Sequence, residues 1–289
     1  MSALTEQQKQ SFWENGYLMA PDAVTAVALE SLRRDFDAWV AESRDHAQNY
    51  GEIIDGRPRF DLESGHSATQ PALRRVNSPV EVSQSFYDVM ASSRMTDYVA
   101  DLIGPNVKFH HSKVNSKLPG AATKVKWHQD FPFTPHSNDD LVTALLLLDD
   151  MTEENGALEV LAGSHRGKLW TLWHDGVFTG AIDDTTAADM QAHAALCLGS
   201  AGSVCLMHTR LAHGSKPNLS KNPRTLFICV YSAEDAVPLV PNPVPSRYEG
   251  LLVRGERTGR VRSQDFALKL PQKPAAASFF SQQAAATDG

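Results

Sequence analysis

The sequence predicts a mainly β protein, a sandwich or barrel of short strands with helices flanking it. Three observations carry this reading. From Val107 onward, short apolar runs alternate with turn-formers. The first hundred residues instead space their apolar side chains as helices do. Helices do not alternate with the later strands, which argues against a doubly wound sheet. The chain of 289 residues, 42% hydrophobic and 21% charged, has the length and composition of a globular protein that can bury one large core.

Taken in order, Thr5 is placed to cap a helix running to about Tyr17. A second helix follows Pro21-Asp22, where Leu29, Leu32, Phe36, Trp39 and Val40 recur at helical spacing and Glu30, Arg33, Arg34 and Asp37 take the other faces. Val82 to Ile103 repeats the pattern through Phe86, Val89, Met95, Tyr98, Val99 and Leu102, and Gly104-Pro105 ends it. Between these helices, Tyr50 to Pro79 reads as loop with short strands. The later strands are expected at Val107–Val114, Leu141–Leu148, Ala157–Leu161, Ser203–Met207 and Thr225–Tyr231. Turns at Pro119-Gly120, Glu154-Asn155-Gly156, Gly199–Gly202 and Pro217-Asn218 separate them. Leu169–Gln191 is a long insertion of the kind that forms lids or binding loops. This divides the chain into one domain over 1–271, with a helical part at 1–105, a strand core at 106–235 and a C-terminal extension at 236–271. The segment 272–289, rich in Ala, Gln and Ser, is expected to be a flexible tail.

The net charge of -7, with no long basic run, argues against nucleic acid or an anionic membrane as partner. No apolar stretch is long enough to span a bilayer, and the N-terminus is too polar for a signal peptide. Cys197, Cys205 and Cys229 fit no zinc spacing and, being odd in number, make a poor disulfide framework. They read as buried thiols in a cytoplasmic monomer or homodimer.

The chemistry-bearing pattern begins at Lys126-Trp127-His128-Gln129-Asp130-Phe131. In an extended strand His128 and Asp130 project to one side, and Trp127 and Gln129 to the other. An imidazole and a carboxylate converging this way supply two ligands of a facial triad. Such a pair alone occurs often by chance. The third ligand is expected to be His213, which follows an apolar strand and precedes Gly214, rather than His208 at that strand's end. Arg224 stands eleven residues beyond His213 and opens the next strand. A hairpin would bring the two together. Its planar guanidinium suits bidentate capture of a carboxylate, to which the Ser215 hydroxyl can add.

In combination these residues resemble the phytanoyl-CoA dioxygenase family of Fe(II)/2-oxoglutarate-dependent oxygenases. The matching pieces are Trp127-His128-Gln129-Asp130, Leu147 through Leu158, Gly163-Ser164-His165, His213-Gly214-Ser215, Pro217-Asn218 and Arg224. The opening Leu4-Thr5-Glu6-Gln7, Phe12 and Gly16-Tyr17 also look like this family's start. The resemblance implies a double-stranded β-helix, the cupin-like jelly roll, with iron held by His128, Asp130 and His213. It implies that Arg224 and Ser215 bind the far carboxylate of 2-oxoglutarate. It also implies polar co-substrate contacts from the strand before the metal motif. There, parity puts Phe109, His111, Lys113 and Asn115 on one face and makes Asn115 and Lys113 the candidates. One departure is the absence of a tryptophan that several relatives carry in the strand after the motif, where this chain has Ala144 and Leu145.

The implied activity is a hydroxylase using Fe(II), 2-oxoglutarate and O2, with release of succinate and carbon dioxide. Related halogenases replace the carboxylate of the triad with a small residue, so Asp130 favours hydroxylation, with desaturation or rearrangement as the alternative. A cupin-type metal hydrolase or isomerase would have no use for Arg224 and Ser215, and a degenerate binding module would not keep every ligand. Candidate substrate contacts are Phe131, Phe133, Trp170, Arg210 and Arg75, with Trp173, His174 and Phe178 as further members of an aromatic wall. No cluster suited to CoA phosphates is evident, which favours a small metabolite.

Overall fold

The computed structural model describes residues 2–119 and 123–272. Its strands and helices, in chain order, begin with α1 (Glu6–Asn15), β1 (Tyr17–Ala20), α2 (Ala26–Ser43), β2 (Tyr50–Ile54), β3 (Arg57–Leu62), β4 (Leu73–Asn77), α3 (Gln84–Ala91) and α4 (Arg94–Ile103). Next come β5 (Val107–Lys117), β6 (Val125–His128), β7 (Leu141–Leu147), β8 (Leu158–Val160), β9 (Trp173–His174), β10 (Val177–Phe178) and α5 (Asp184–Ala192). The last are β11 (Ala195–Cys197), β12 (Val204–His208), β13 (His213–Ser215), β14 (Arg224–Ala233) and β15 (Leu252–Arg254).

Two antiparallel sheets face each other. The larger runs β1-β12-β7-β14-β5-β4-β3-β2, with β15 also paired to β5, and the smaller runs β11-β8-β13-β6. This is the expected double-stranded β-helix. Alternation along β7 explains the packing. Val142, Ala144 and Leu146 join the cluster formed with the helices, while Leu145 and Leu147 join the cluster between the sheets. Every residue of β7 is buried because both faces are covered. The outer face carries α2, α3 and α4 through Leu32, Phe36, Trp39, Phe86 and Val99. Phe86 meets Phe227 edge-on at 4.8 Å, a geometry that contributes about 0.5–1.5 kcal/mol beyond burial. The Tyr231 hydroxyl donates to the Met90 carbonyl at 2.9 Å, tying β14 to α3.

Several expectations are corrected. The first helix stops at Asn15, where Gly16 adopts φ +82°, so that Tyr17 starts a strand paired with β12. The single helix expected over Val82–Ile103 is two, because Ser92 and Ser93 take extended backbone, φ -150° and -131°, and the Ser93 backbone N–H donates to the Thr96 hydroxyl at the start of α4. Tyr50–Pro79 is not mainly loop: it supplies three strands that widen the larger sheet. The insertion Leu169–Gln191 folds as the β9–β10 hairpin and most of α5. The tail expected over 272–289 lies, beyond Gln272, outside the described residues, as does Gly120 of the expected Pro119-Gly120 turn.

The parity expected along β5 also fails at one end. His111 pairs with Val230 and Phe109 with Tyr231, so a bulge at His110 adds one residue between them. Phe109 therefore packs with the helices, while His111, Lys113 and Asn115 keep the inward face.

Candidate metal centre and its two cavities

His128 ends β6 and His213 begins β13, and the two are direct cross-strand partners in the smaller sheet. Asp130 does not continue the strand. Its backbone is helical, φ -73° and ψ -36°, and it opens a short 3-10 turn, which swings its carboxylate back toward the imidazoles. One ligand atom from each of the three residues lies within 4.8 Å of the others. Asp130 Oδ1 is 3.6 Å from His128 Nε2 and 3.8 Å from His213 Nε2.

Backbone carbonyls fix both imidazoles. His128 Nδ1 donates to the Lys126 carbonyl at 2.8 Å, and His213 Nδ1 donates to the Leu211 carbonyl at 3.0 Å. A carbonyl only accepts, so each Nδ1 carries the proton and each Nε2 presents its lone pair inward. Burial and the neighbouring His128 push His213 down to about 4, which keeps it neutral. Burial works to raise the Asp130 carboxyl, but His213 and His128 outweigh it and hold it well below the usual carboxylate range. Two imidazoles that turn Nε2 inward, with a carboxylate beside them, suit a divalent iron with coordination sites left open.

Gln129, on the opposite side of the motif, locks the loops around it. Its amide donates to the Arg210 carbonyl at 2.6 Å and accepts from the Trp170 backbone at 2.9 Å. The rival ligand His208 points elsewhere, packed against Trp13 and His165 and accepting from the Arg210 backbone.

One cavity opens between the sheets beside the triad, walled by Leu145, Leu158, Met207, Leu226 and Ile228. At its far end stand Arg224, Ser215 and Lys117. Arg224 is 5% exposed, and its Nε has no hydrogen-bond partner among the described residues. Burial pushes its guanidinium down to about 10, against the opposing pull of Asp149. Lys117 Nζ donates to Ser215 Oγ at 2.7 Å and to the Lys216 carbonyl. Burial and then Arg224 push the Lys117 amine down to about 6. A buried guanidinium with an orphaned donor, beside the Lys117 amine and a hydroxyl, fits a carboxylate at that end.

The route by which Arg224 arrives differs from the expected hairpin. β13 belongs to the smaller sheet and β14 to the larger, so Arg224 and His213 line the cavity from opposite sides of the sandwich. Lys117 is Arg224's cross-strand partner. It was missed in the sequence, although it continues the inward parity two residues beyond Asn115. Lys113 and Asn115 line the cavity, and Asn115 Oδ1 accepts from Arg75 Nε at 2.9 Å. Ala144 faces the helices, and Leu145 lines the inner wall of the cavity.

A second cavity shares Arg75, Lys113, His128, Asp130 and Thr143 with the first and extends away from Arg224. Phe133 lines it and meets Phe178 of the insertion at 5.5 Å. Three candidate substrate contacts lie elsewhere. Phe131 is fully buried in a cluster with Leu141, Ala233 and Phe266, because the 3-10 turn points it away from the metal motif. Trp170 packs beneath the insertion against Trp127, Leu172 and Phe178, outside both cavities. Arg210 is held by Asp139 at 2.7 Å and by the Gly167 carbonyl at 2.7 Å. Arg57, which lines the second cavity, carries no sequence signal, since its place depends on β3 joining the larger sheet.

A double-stranded β-helix that presents a His-Asp-His cluster between its sheets defines an Fe(II)/2-oxoglutarate-dependent dioxygenase. The family model for phytanoyl-CoA dioxygenase (PhyH) matches residues 12–226, and the chain belongs to that family. It is 35% identical over 225 residues to a Stutzerimonas stutzeri protein described as a probable alpha-ketoglutarate-dependent hypophosphite dioxygenase, covering 73% of this chain and 75% of that protein. It is 25% identical over 247 residues to the human peroxisomal phytanoyl-CoA dioxygenase, covering 81% of this chain and 70% of that one. In fold it is similar to EctD from S. alaskensis in its apoform, with a TM-score of 0.66 at 22% identity, over 89% of this chain and 88% of that chain.

Proposed function

We propose that this protein hydroxylates an unactivated C–H bond of a small metabolite, with 2-oxoglutarate converted to succinate and carbon dioxide. His128, Asp130 and His213 hold the iron. When bound, that iron supplies the activation of O2 that the side chains cannot provide. Arg224, Ser215 and Lys117 grip the far carboxylate of the co-substrate, and Asn115 and Lys113 line its path. The observation that carries this reading is the buried Arg224 guanidinium, with its orphaned Nε, at the end of a cavity that begins at the triad. An anion there would relieve a desolvated charge.

The apolar walls at Leu145, Leu226 and Ile228 exclude water along the co-substrate, which strengthens the charge interactions at its end. Thr143 fixes the Asp130 carboxylate, and the two backbone carbonyls fix the imidazoles. The chain's own work is therefore to orient ligands, hold co-substrate and substrate in adjoining cavities, and keep solvent out. We take residues 1–271 as one catalytic unit. Among the described residues no helix is long and apolar enough to cross a membrane. Three buried free thiols suit a reducing compartment, in keeping with a cytoplasmic place.

The test is succinate formation by protein supplied with Fe(II), 2-oxoglutarate and O2 against a metabolite library, alongside equilibrium binding of 2-oxoglutarate. Wild type should bind 2-oxoglutarate in a metal-dependent way, His213→Ala should lose the metal, and Arg224→Met should lose the co-substrate. Undiminished 2-oxoglutarate affinity in Arg224→Met would overturn the assignment of the carboxylate anchor.

A further inference from the structure

Two histidines at the second cavity are coupled to each other, and what they imply for the substrate rests on the oxygenase reading above. Adjacent residues of a strand ordinarily point to opposite faces. The bulge at His110 sets His110 and His111 side by side instead, with ring centroids 4.9 Å apart and the two Nδ1 atoms 2.7 Å apart. Asn242 Nδ2 donates to the His110 carbonyl at 3.0 Å and satisfies that backbone oxygen of the bulge. His111 lines the cavity together with His128, Asp130 and Phe133. With Nδ1 turned to His110, Nε2 is the ring nitrogen left for an occupant, and no group among the described residues hydrogen-bonds it.

Burial keeps both rings neutral. It pushes His110 down to about 3, helped by His136 and Lys108. It holds His111 well below its ordinary value, helped by His110 and Lys113 against the weaker pull of Asp130. Each ring therefore carries one proton. Across the 2.7 Å contact one Nδ1 donates and the other accepts. The rings are thus locked as a pair: the one that donates through Nδ1 has a bare Nε2, and its neighbour has a protonated one. His110 Nε2 decides between the two arrangements. It is buried without a hydrogen-bond partner among the described residues, and Glu249 Oε1 lies 4.0 Å away. That is too long for a hydrogen bond, but a carboxylate at such range favours an N–H over a lone pair. A protonated Nε2 leaves His110 Nδ1 to accept. His111 then donates through Nδ1 and turns a bare Nε2 to the cavity. Lys113 works the same way, since its charge opposes a proton on His111.

We propose that His111 presents a hydrogen-bond acceptor to the second cavity and so selects a small substrate that carries an O–H or N–H donor, with Glu249, acting through His110, as the positioning residue that keeps it in that form. A buried acceptor discriminates strongly, because an occupant without a donor leaves it unpaired. Size limits the occupant as well. The cavity volume is about 90 Å³, where one water needs roughly 10–15 Å³ on the same measure. The substrate is thus a molecule of few non-hydrogen atoms. Holding its donor at His111 fixes the molecule beside His128 and Asp130, which line the same cavity.

The experiment is nitrogen NMR of the full chain carrying isotope-labelled histidine, loaded with 2-oxoglutarate and with Zn(II) as a diamagnetic stand-in for iron. His110→Asn and His111→Gln assign the signals. In wild type His111 Nε2 should resonate as a bare nitrogen and Nδ1 as an N–H, with His110 the reverse. Glu249→Gln, a change at an exposed position, should move His111 toward the Nε2–H form, which a merely structural role for Glu249 would not do. Small alcohols and amides are then added, each paired with its O- or N-methylated counterpart: isopropanol with its methyl ether, acetamide with N,N-dimethylacetamide. The donor member of at least one pair should shift His111 Nε2, and its counterpart should not. A protonated His111 Nε2 in wild type, an unchanged tautomer in Glu249→Gln, no shift with any donor, or equal shifts with the methylated probes would each overturn the proposal. The wild-type tautomer is decisive by itself if a variant does not fold. Failure of wild type to bind 2-oxoglutarate at all would instead remove the oxygenase reading, and the substrate assignment with it.

Discussion

Thr143 Oγ1 donates to Asp130 Oδ2 at 2.7 Å, so the carboxylate offers the metal site its other oxygen, the one that faces His128 and His213. Removing this outer contact leaves all three ligands present but one of them free to rotate. Thr143→Val, nearly isosteric, is expected to lower metal affinity or activity about 10–100-fold, the range usual for such orienting partners. Competition with a metal chelator measures it. An affinity equal to wild type would mean that Asp130 needs no orienting.

Lys117 gives a prediction with a sign in pH. Its folded-state amine sits near 6, below the ordinary value of 10.5, so the unfolded chain binds more protons than the folded one. Stability should therefore rise with pH across the window from about 6 to 10.5. Lys117→Met should raise the melting temperature at pH 8 and flatten that dependence. The same variant should weaken 2-oxoglutarate about tenfold.

A linked effect follows for the wild type. An anion placed beside Lys117 raises its affinity for a proton, so binding 2-oxoglutarate between pH 6 and 8 should take up a proton. Titration calorimetry in two buffers of different ionisation enthalpy reads this directly. An apparent enthalpy independent of the buffer would argue that the co-substrate does not approach Lys117.

Arg210, once a candidate for substrate, is expected to act on stability alone. Arg210→Ala breaks a half-buried ion pair with Asp139 and a contact to the Gly167 carbonyl, at a cost of about 1–3 kcal/mol. The KM for the substrate should stay within about twofold of wild type, because neither cavity includes Arg210. A large change in KM with unchanged stability would return it to the substrate site.

Gly156 offers a test of the turn before β8. It has φ +77°, and an added Cβ would lie 2.6 Å from the Lys216 carbonyl oxygen and 3.1 Å from that of Pro217, both rigid backbone atoms. Gly156→Ala should destabilise the protein by about 2 kcal/mol or more, read as a lower denaturant midpoint. It should also disturb Ser215 at the neighbouring end of β13, where Ser215 pairs with Leu158.

What could be read from the sequence divides along a physical line. The strand core was legible because alternating apolar residues mark faces whatever the partner strand is, and His128, Asp130 and His213 stood out through residue type and spacing. Arg57 was not legible, because its role comes from β3 extending the larger sheet, a pairing with no local signature. The position of Arg224 was foreseen by the wrong route, since adjacency along the chain suggested a hairpin where the chain crosses between sheets. Phe131 and Trp170 misled for a related reason. Aromatic residues near a metal motif pack as readily beneath a loop as over the site, and only the turn at Asp130 decides which.

The bulge at His110 has a consequence for how this chain can change. It splits β5 into two stretches that count their faces in opposite phase, one serving the helices and one serving the site. Loss of that single residue would leave Phe109 and His111 adjacent, so Phe109 would still face the helices and His111 the site, and only the local bend would go. Loss of Ser112 would instead force either His111 or the stretch from Lys113 to Asn115 onto the other face. Strand β5 should therefore tolerate deletion at its bulge better than deletion at Ser112.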